Sequence, residues 1–216
     1  MATKRITICT CSTRHLIDTK KVNEWVKKAN DEGLELVLVD DLCALFEDGD
    51  PSIASIAEGT IVACHERAVN SLLEWRGYDA AKIINIRVPK PFKTDGLLSD
   101  AWFPVIDKHR CTECGKCFDF CPFGVYDMVD DRVRVVHPHR CKNNCPACAR
   151  NCPSEAIIFP KYDYSPINGG IEQEEQAIRV DHSTLYADAF RSRLMNRRLT
   201  GTPLFRLNDN EEKRKE

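Results

Sequence analysis

No apolar run in this chain approaches the roughly 18 residues that a membrane-crossing helix requires, which excludes a helical span. Neither sign of charge dominates. The 31 Lys and Arg against 33 Asp and Glu leave a formal net charge of -2, so nothing draws the whole chain to nucleic acid or to an anionic membrane. The opening residues, MATKRITICTCSTRH, run straight into a strand-like stretch without the long apolar core of a secretory signal, and a cytoplasmic protein is expected. Hydrophobic residues at 43% and charged residues at 30% are ordinary for a soluble globular protein. What is out of proportion is cysteine, twelve in 216 residues. In a secreted chain these would form disulfides; in a reducing compartment, clustered cysteines are more often metal ligands.

Residues 1–88 alternate between strand and helix. The runs 5–9, 34–39, 60–63 and 82–86 are β-rich. Residues 18–30 place Val22, Trp25, Val26 and Ala29 on one helix face behind Asp18 as N-cap, and 52–58 and 68–75 also read as helices. A loop containing Gly49-Asp50-Pro51 is expected after the second strand. The alternation predicts a small parallel α/β sheet. Residues 89–101, with two prolines, a glycine and no periodicity, read as a linker. A cysteine-rich module follows over 102–162. From 163 to 216 no core pattern recurs; this arm holds an expected helix at 183–198 and a charged tail, LNDNEEKRKE.

Within the module two runs repeat: Cys111-x2-Cys114-x2-Cys117-x3-Cys121-Pro122 and Cys141-x3-Cys145-x2-Cys148-x3-Cys152-Pro153. Beyond each proline, Val125-Tyr126 stands opposite Ala156-Ile157. Cys-x2-Cys pairs also bind zinc, but zinc seldom uses three consecutive cysteines and a Cys-Pro in tandem. The pattern resembles the two-cluster bacterial ferredoxins, over about 60 residues. That resemblance implies an α+β ferredoxin-like domain with two [4Fe-4S] clusters. One would take Cys111, Cys114, Cys117 and Cys152, the other Cys141, Cys145, Cys148 and Cys121, because the cysteine before proline reaches the other cube. The x3 gap after Cys141 should bulge its loop. Over residues 101–160, eight basic residues meet seven acidic ones. Freely diffusing ferredoxins are typically acidic, so the balance suggests a docked subunit; a merely solvated face is the alternative.

Cys9, Cys11, Cys43 and Cys64 remain, each at or just beyond the C-terminal end of an expected strand, along the sheet edge where ligands bind. Ile8-Cys9-Thr10-Cys11, Asp41-Leu42-Cys43 and Ile61-Val62-Ala63-Cys64 resemble the N-terminal domain of the heterodisulfide reductase A subunit, which implies a third [4Fe-4S] cluster. The chain departs from that family at Ser12, where a glycine is usual. It also lacks the flavin domain, for no G-x-G-x-x-G occurs, so no flavin is expected on this chain. Buried free thiols and a redox disulfide are the competing readings of these four residues. His65, next to Cys64, reads as a hydrogen-bond donor toward the cluster ligands or, more simply, as polar surface; Trp25 and Trp75 read as core.

In the arm, Tyr186, Phe190 and Leu194 share one helix face and Arg191, Arg193, Arg197 and Arg198 make its end basic, a pattern suited to a groove on a partner subunit or on its own domain. The expectation is an electron-transfer subunit of a larger oxidoreductase of anaerobic metabolism. It has no catalytic residue of its own; the partner subunits supply the catalytic centre. The alternatives are a thiol-disulfide catalyst at Cys9-x-Cys11 fed by the clusters, and a cluster-based redox sensor. No nucleic-acid motif is evident outside the tail.

Overall fold

A computed structural model describes residues 5–79, 81–88 and 100–171. All of them fall within one unit, Met1–Ala177. Most of the expected linker and the expected helix at 183–198 lie outside the described residues.

The first half is a four-stranded parallel sheet in the order β2-β1-β3-β4, made of β1 (Arg5–Cys9), β2 (Glu35–Val39), β3 (Thr60–Ala63) and β4 (Lys82–Asn85). The two central strands are the most deeply buried. Ile6, Thr7 and Ile8 of β1 and Ile61, Val62 and Ala63 of β3 are all buried, as expected where helices cover both faces of a parallel sheet. Helix α1 (Thr19–Asp31) begins where the Asp18 carboxylate accepts from the Lys20 N–H at 2.8 Å, and it turns Val22 and Ala29 inward. After β2 the structure departs from the expected loop. A seven-residue helix, α2 (Leu42–Asp48), comes first, capped by Asp41, whose side chain accepts from the Ala44 N–H, and closed by Gly49 at φ +70°. Helices α3 (Ser52–Ala57) and α4 (Glu66–Trp75) complete this half.

The second half has a repeated plan. Strand β5 (Val105–Ile106) pairs antiparallel with β8 (Ile157–Ile158), and β6 (Tyr126–Val129) pairs with β7 (Arg132–Val135). The hairpin between β6 and β7 turns through Asp130 and Asp131, both at positive φ, the backbone that a tight two-residue turn demands. Each cysteine run contains one short helix, α5 (Lys116–Phe120) or α6 (Ala147–Arg150).

The two halves have separate cores that meet. In β5 the alternation of a strand sends Val105 into the sheet's core and Ile106 toward the ferredoxin-like core. Trp75, at the end of α4, packs on both; its indole N–H donates to the Val135 carbonyl at 3.1 Å and its ring lies 5.2 Å from Phe103. Residues beyond 163, which show no hydrophobic pattern, still pack: Ser165 and Asn168 are buried. Gly169, at φ +92°, lies so close to α4 that a Cβ there would stand 2.9 Å from the Ala68 nitrogen.

Candidate metal centres

The first cysteine run curls because Glu113 and Gly115 adopt positive φ, so the chain turns back on itself between Cys111 and Cys117. Strand β8 carries the distant Cys152-Pro153 back to that loop. The result is a narrow pocket whose wall contains Cys111, Cys114, Cys117 and Cys152 together with Val133 and Ile157. Cys152 Sγ receives the Ala156 N–H at 3.4 Å and lies 3.6 Å from the Ser154 hydroxyl. Burial pushes the Cys117 thiol up to about 12, with Cys148 and Cys111 adding repulsion, whereas Cys114 is exposed.

The second run is built alike: Asn144, just before Cys145, takes positive φ (59°) as Glu113 does before Cys114 (52°). Burial raises the Cys141 thiol to about 12, with Cys148, Cys145 and Cys121 adding to it, so the four thiols of this set feel one another. Burial also raises Cys148, to about 11, against the opposing pull of a hydroxyl: Tyr126 Oη donates to Cys148 Sγ at 3.1 Å. The Trp102 indole N–H donates to the Cys145 carbonyl at 3.4 Å.

The third set is gathered by the sheet. Cys9 ends β1, Cys11 follows at φ 49°, Cys43 lies in the first turn of α2 and Cys64 follows β3. Strands β1 and β3 are neighbours, and the connections leave them in opposite directions, which opens a crevice at their C-terminal ends. All four cysteines are at most 8% exposed. Cys9 Sγ accepts the Leu42 N–H at 3.5 Å. Burial raises every one of these thiols, Cys64 to about 11, and Cys11 and Cys64 both act on Cys43, which places the set in one locality. His65 is buried, not the polar surface expected of it, and its Nδ1 pairs with Asn85 Nδ2 at 3.2 Å.

A single zinc holds its sulfurs at about 2.3 Å. Among the described residues no three Cys, His, Asp or Glu side chains are grouped to hold one metal ion. A cube with an iron at each corner spreads its ligands more widely, and the all-thiol donor set around the apolar pocket of the first run, with the Ala156 N–H at the Cys152 sulfur, fits that larger group.

Sequence reasoning missed the seam between the second and third sets. Arg14, three residues after Cys11, is buried; its guanidinium pairs with Asp100, donates to Asn144 Oδ1 at 2.7 Å and lies 4.5 Å from the Trp102 ring. Lys161, 3% exposed, pairs with Asp41 and acts through space on Cys43 and Cys11. Arg87 donates to the carbonyls of Pro160 and Tyr162.

Residues 103–153 match the family model described as a 4Fe-4S dicluster domain. The chain is 49% identical over 61 residues to a ferredoxin of Methanocaldococcus jannaschii, covering 28% of this chain and 42% of that one. It is 37% identical over 54 residues to the pyruvate synthase subunit PorD of Methanothermobacter marburgensis (25% and 60%). To a ferredoxin of Methanothermococcus thermolithotrophicus it is 35% identical over 51 residues (24% and 83%). The chain thus spans about two fifths of the length of the first of these relatives and most of the last. Through residues 103–153 it belongs to the two-cluster [4Fe-4S] ferredoxins.

Proposed function

We propose that this chain is a cytoplasmic electron-transfer subunit that relays single electrons inside a larger oxidoreductase of anaerobic metabolism. Cys111, Cys114, Cys117 and Cys152 would hold one cube, Cys121, Cys141, Cys145 and Cys148 the second, and Cys9, Cys11, Cys43 and Cys64 a third, as the likeness to the heterodisulfide reductase A subunit suggests. A bound [4Fe-4S] cluster supplies a one-electron couple and makes or breaks no substrate bond. The chain's part is to hold the thiolates, exclude water and place the sets next to one another. The observation that carries this reading is the cavity on the first set, where a cysteine 35 residues downstream of Cys117 joins the three of its loop.

A role inside an assembly is supported by the relative that is, by its name, a subunit of pyruvate synthase. The flavin, molybdenum, tungsten or other catalytic centre would lie on partner subunits, met in part by the arm over 163–216. A division into 1–88, linker 89–101, 102–162 and this arm belongs to the same proposal. The thiol-disulfide reading of Cys9-x-Cys11 is disfavoured by the burial of both thiols and their raised pKa, since a reactive dithiol needs an accessible thiolate.

Iron and acid-labile sulfide analysis of the anaerobically purified protein tests the assignment. About twelve irons per chain are expected for three cubes. About eight would remove the third, and a colourless, zinc-loaded protein would remove all of them.

A further inference from the structure

The two halves of the ferredoxin repeat are not equivalent at their clusters. Tyr126 and Ile157 occupy matching positions, each following a Cys-Pro of its own run. Ile157 lines the cavity of the first set and brings only methyl groups. Tyr126 opens β6 at 4% exposure, packed in one core with Trp102, Val133 and Cys148, and its hydroxyl donates to Cys148 Sγ at 3.1 Å.

We infer that Tyr126 sets the redox potential of the cluster on Cys121, Cys141, Cys145 and Cys148 by donating a hydrogen bond to the Cys148 sulfur. The inference rests on the reading of Cys148 as a ligand. Reduction adds one negative charge to a cluster and its thiolates, and a fixed O–H dipole aimed at one of those sulfurs favours the more negative state. The bond is buried, where its dipole is poorly screened and the acceptor is ionised, so its effect exceeds that of a solvated contact. The first set has a weaker counterpart, the Ser154 hydroxyl at 3.6 Å from Cys152 Sγ in a half-buried position. Tyr126 is therefore a positioning and tuning residue; it carries no electron itself.

The test is a potentiometric titration of the full-length, anaerobically loaded protein followed by electron paramagnetic resonance. Tyr126→Phe keeps the ring and its packing and removes only the hydroxyl. One cluster of the ferredoxin pair should become harder to reduce by roughly a tenfold loss in electron affinity, about 59 mV for a one-electron couple, while the other stays in place. Replacement of the tyrosine by a ring-fluorinated analogue, whose hydroxyl is a stronger donor, should move the same cluster the other way. This second arm keeps the test decisive if the phenylalanine variant loads poorly. Unmoved potentials in both variants, or equal shifts of both clusters, would overturn the tuning role while leaving the ligand assignment standing. Absence of any cubane signal from the unaltered protein would instead overturn the assignment beneath it.

Discussion

The eight cysteines of the ferredoxin repeat and the four of the sheet reach similar groupings by opposite routes. The eight lie within 42 positions of one another, and tight loops bring most of each set together before any long-range packing is needed. Only Cys148 among them is buried, and Cys114 is exposed. The four are scattered from position 9 to 64, and they meet only because a parallel sheet lines up its strand ends. All four are buried. The cysteines written in local spacing lie open at the surface, whereas those gathered by the fold are sealed within it.

The largest expected effect comes from deleting one member of the sealed set. Cys43→Ser should lower iron and sulfide by about four each per chain, a single cube, and leave the ferredoxin signals unchanged, since that module assembles from its own loops. Unchanged iron in the variant would dissolve the contrast by denying the sheet a cluster. A smaller but more graded effect concerns access. When the loaded protein is exposed to a chelator and pulse-labelled with iodoacetamide, peptide mass mapping should find Cys114 modified first and Cys9 and Cys43 last. Labelling of the sheet cysteines ahead of Cys114 would mean that the strand edge opens more readily than the loops.

The same contrast explains what was legible in the sequence. Strand β3 and helix α1 were readable because their signals are local: Ile61-Val62-Ala63 is continuously apolar, and α1 has a capping aspartate and a spaced apolar face. Helix α2 was not, because seven residues hold fewer than two turns of periodicity, and Leu42 to Phe46 is mostly apolar on every side. The eight cysteines declared themselves by spacing. The four could be proposed only through a rule about strand ends. Arg14 could not be found at all, since its partners Asp100 and the Lys161 carbonyl lie 86 and 147 positions away. Tyr126 was visible as the repeat partner of Ile157, but the aim of its hydroxyl at Cys148 needs the folded hairpin.

Arg14 also offers the finest test, because it joins the two kinds of site. Its guanidinium links the turn after Cys11 to Asp100, to Asn144 in the loop of the second run, and to the face of Trp102. Burial opposes the charge on Asp100, yet Arg14 and Lys161 together hold its carboxyl below the ordinary range. A lowered carboxyl contributes stability above its unfolded pKa and loses it as the pH falls through the folded value, so the seam should weaken in acid and not in mild base. Removing one partner of a buried pair costs about 3–5 kcal/mol. Lys161, 3.5 Å from the same carboxylate, remains in Arg14→Ala, so about 3 kcal/mol, the low end, is expected. Urea titration of the anaerobic protein, followed by loss of the cluster absorbance, measures it at neutral pH, and the difference from the unaltered protein should shrink as the pH falls below about 4. The iron content of the folded variant should be unaltered, since Arg14 holds the two sites together and ligates neither. A cost below about 1 kcal/mol would place Arg14 with ordinary exposed ion pairs and leave the contact between sheet and repeat to Val105, Phe103 and Trp75.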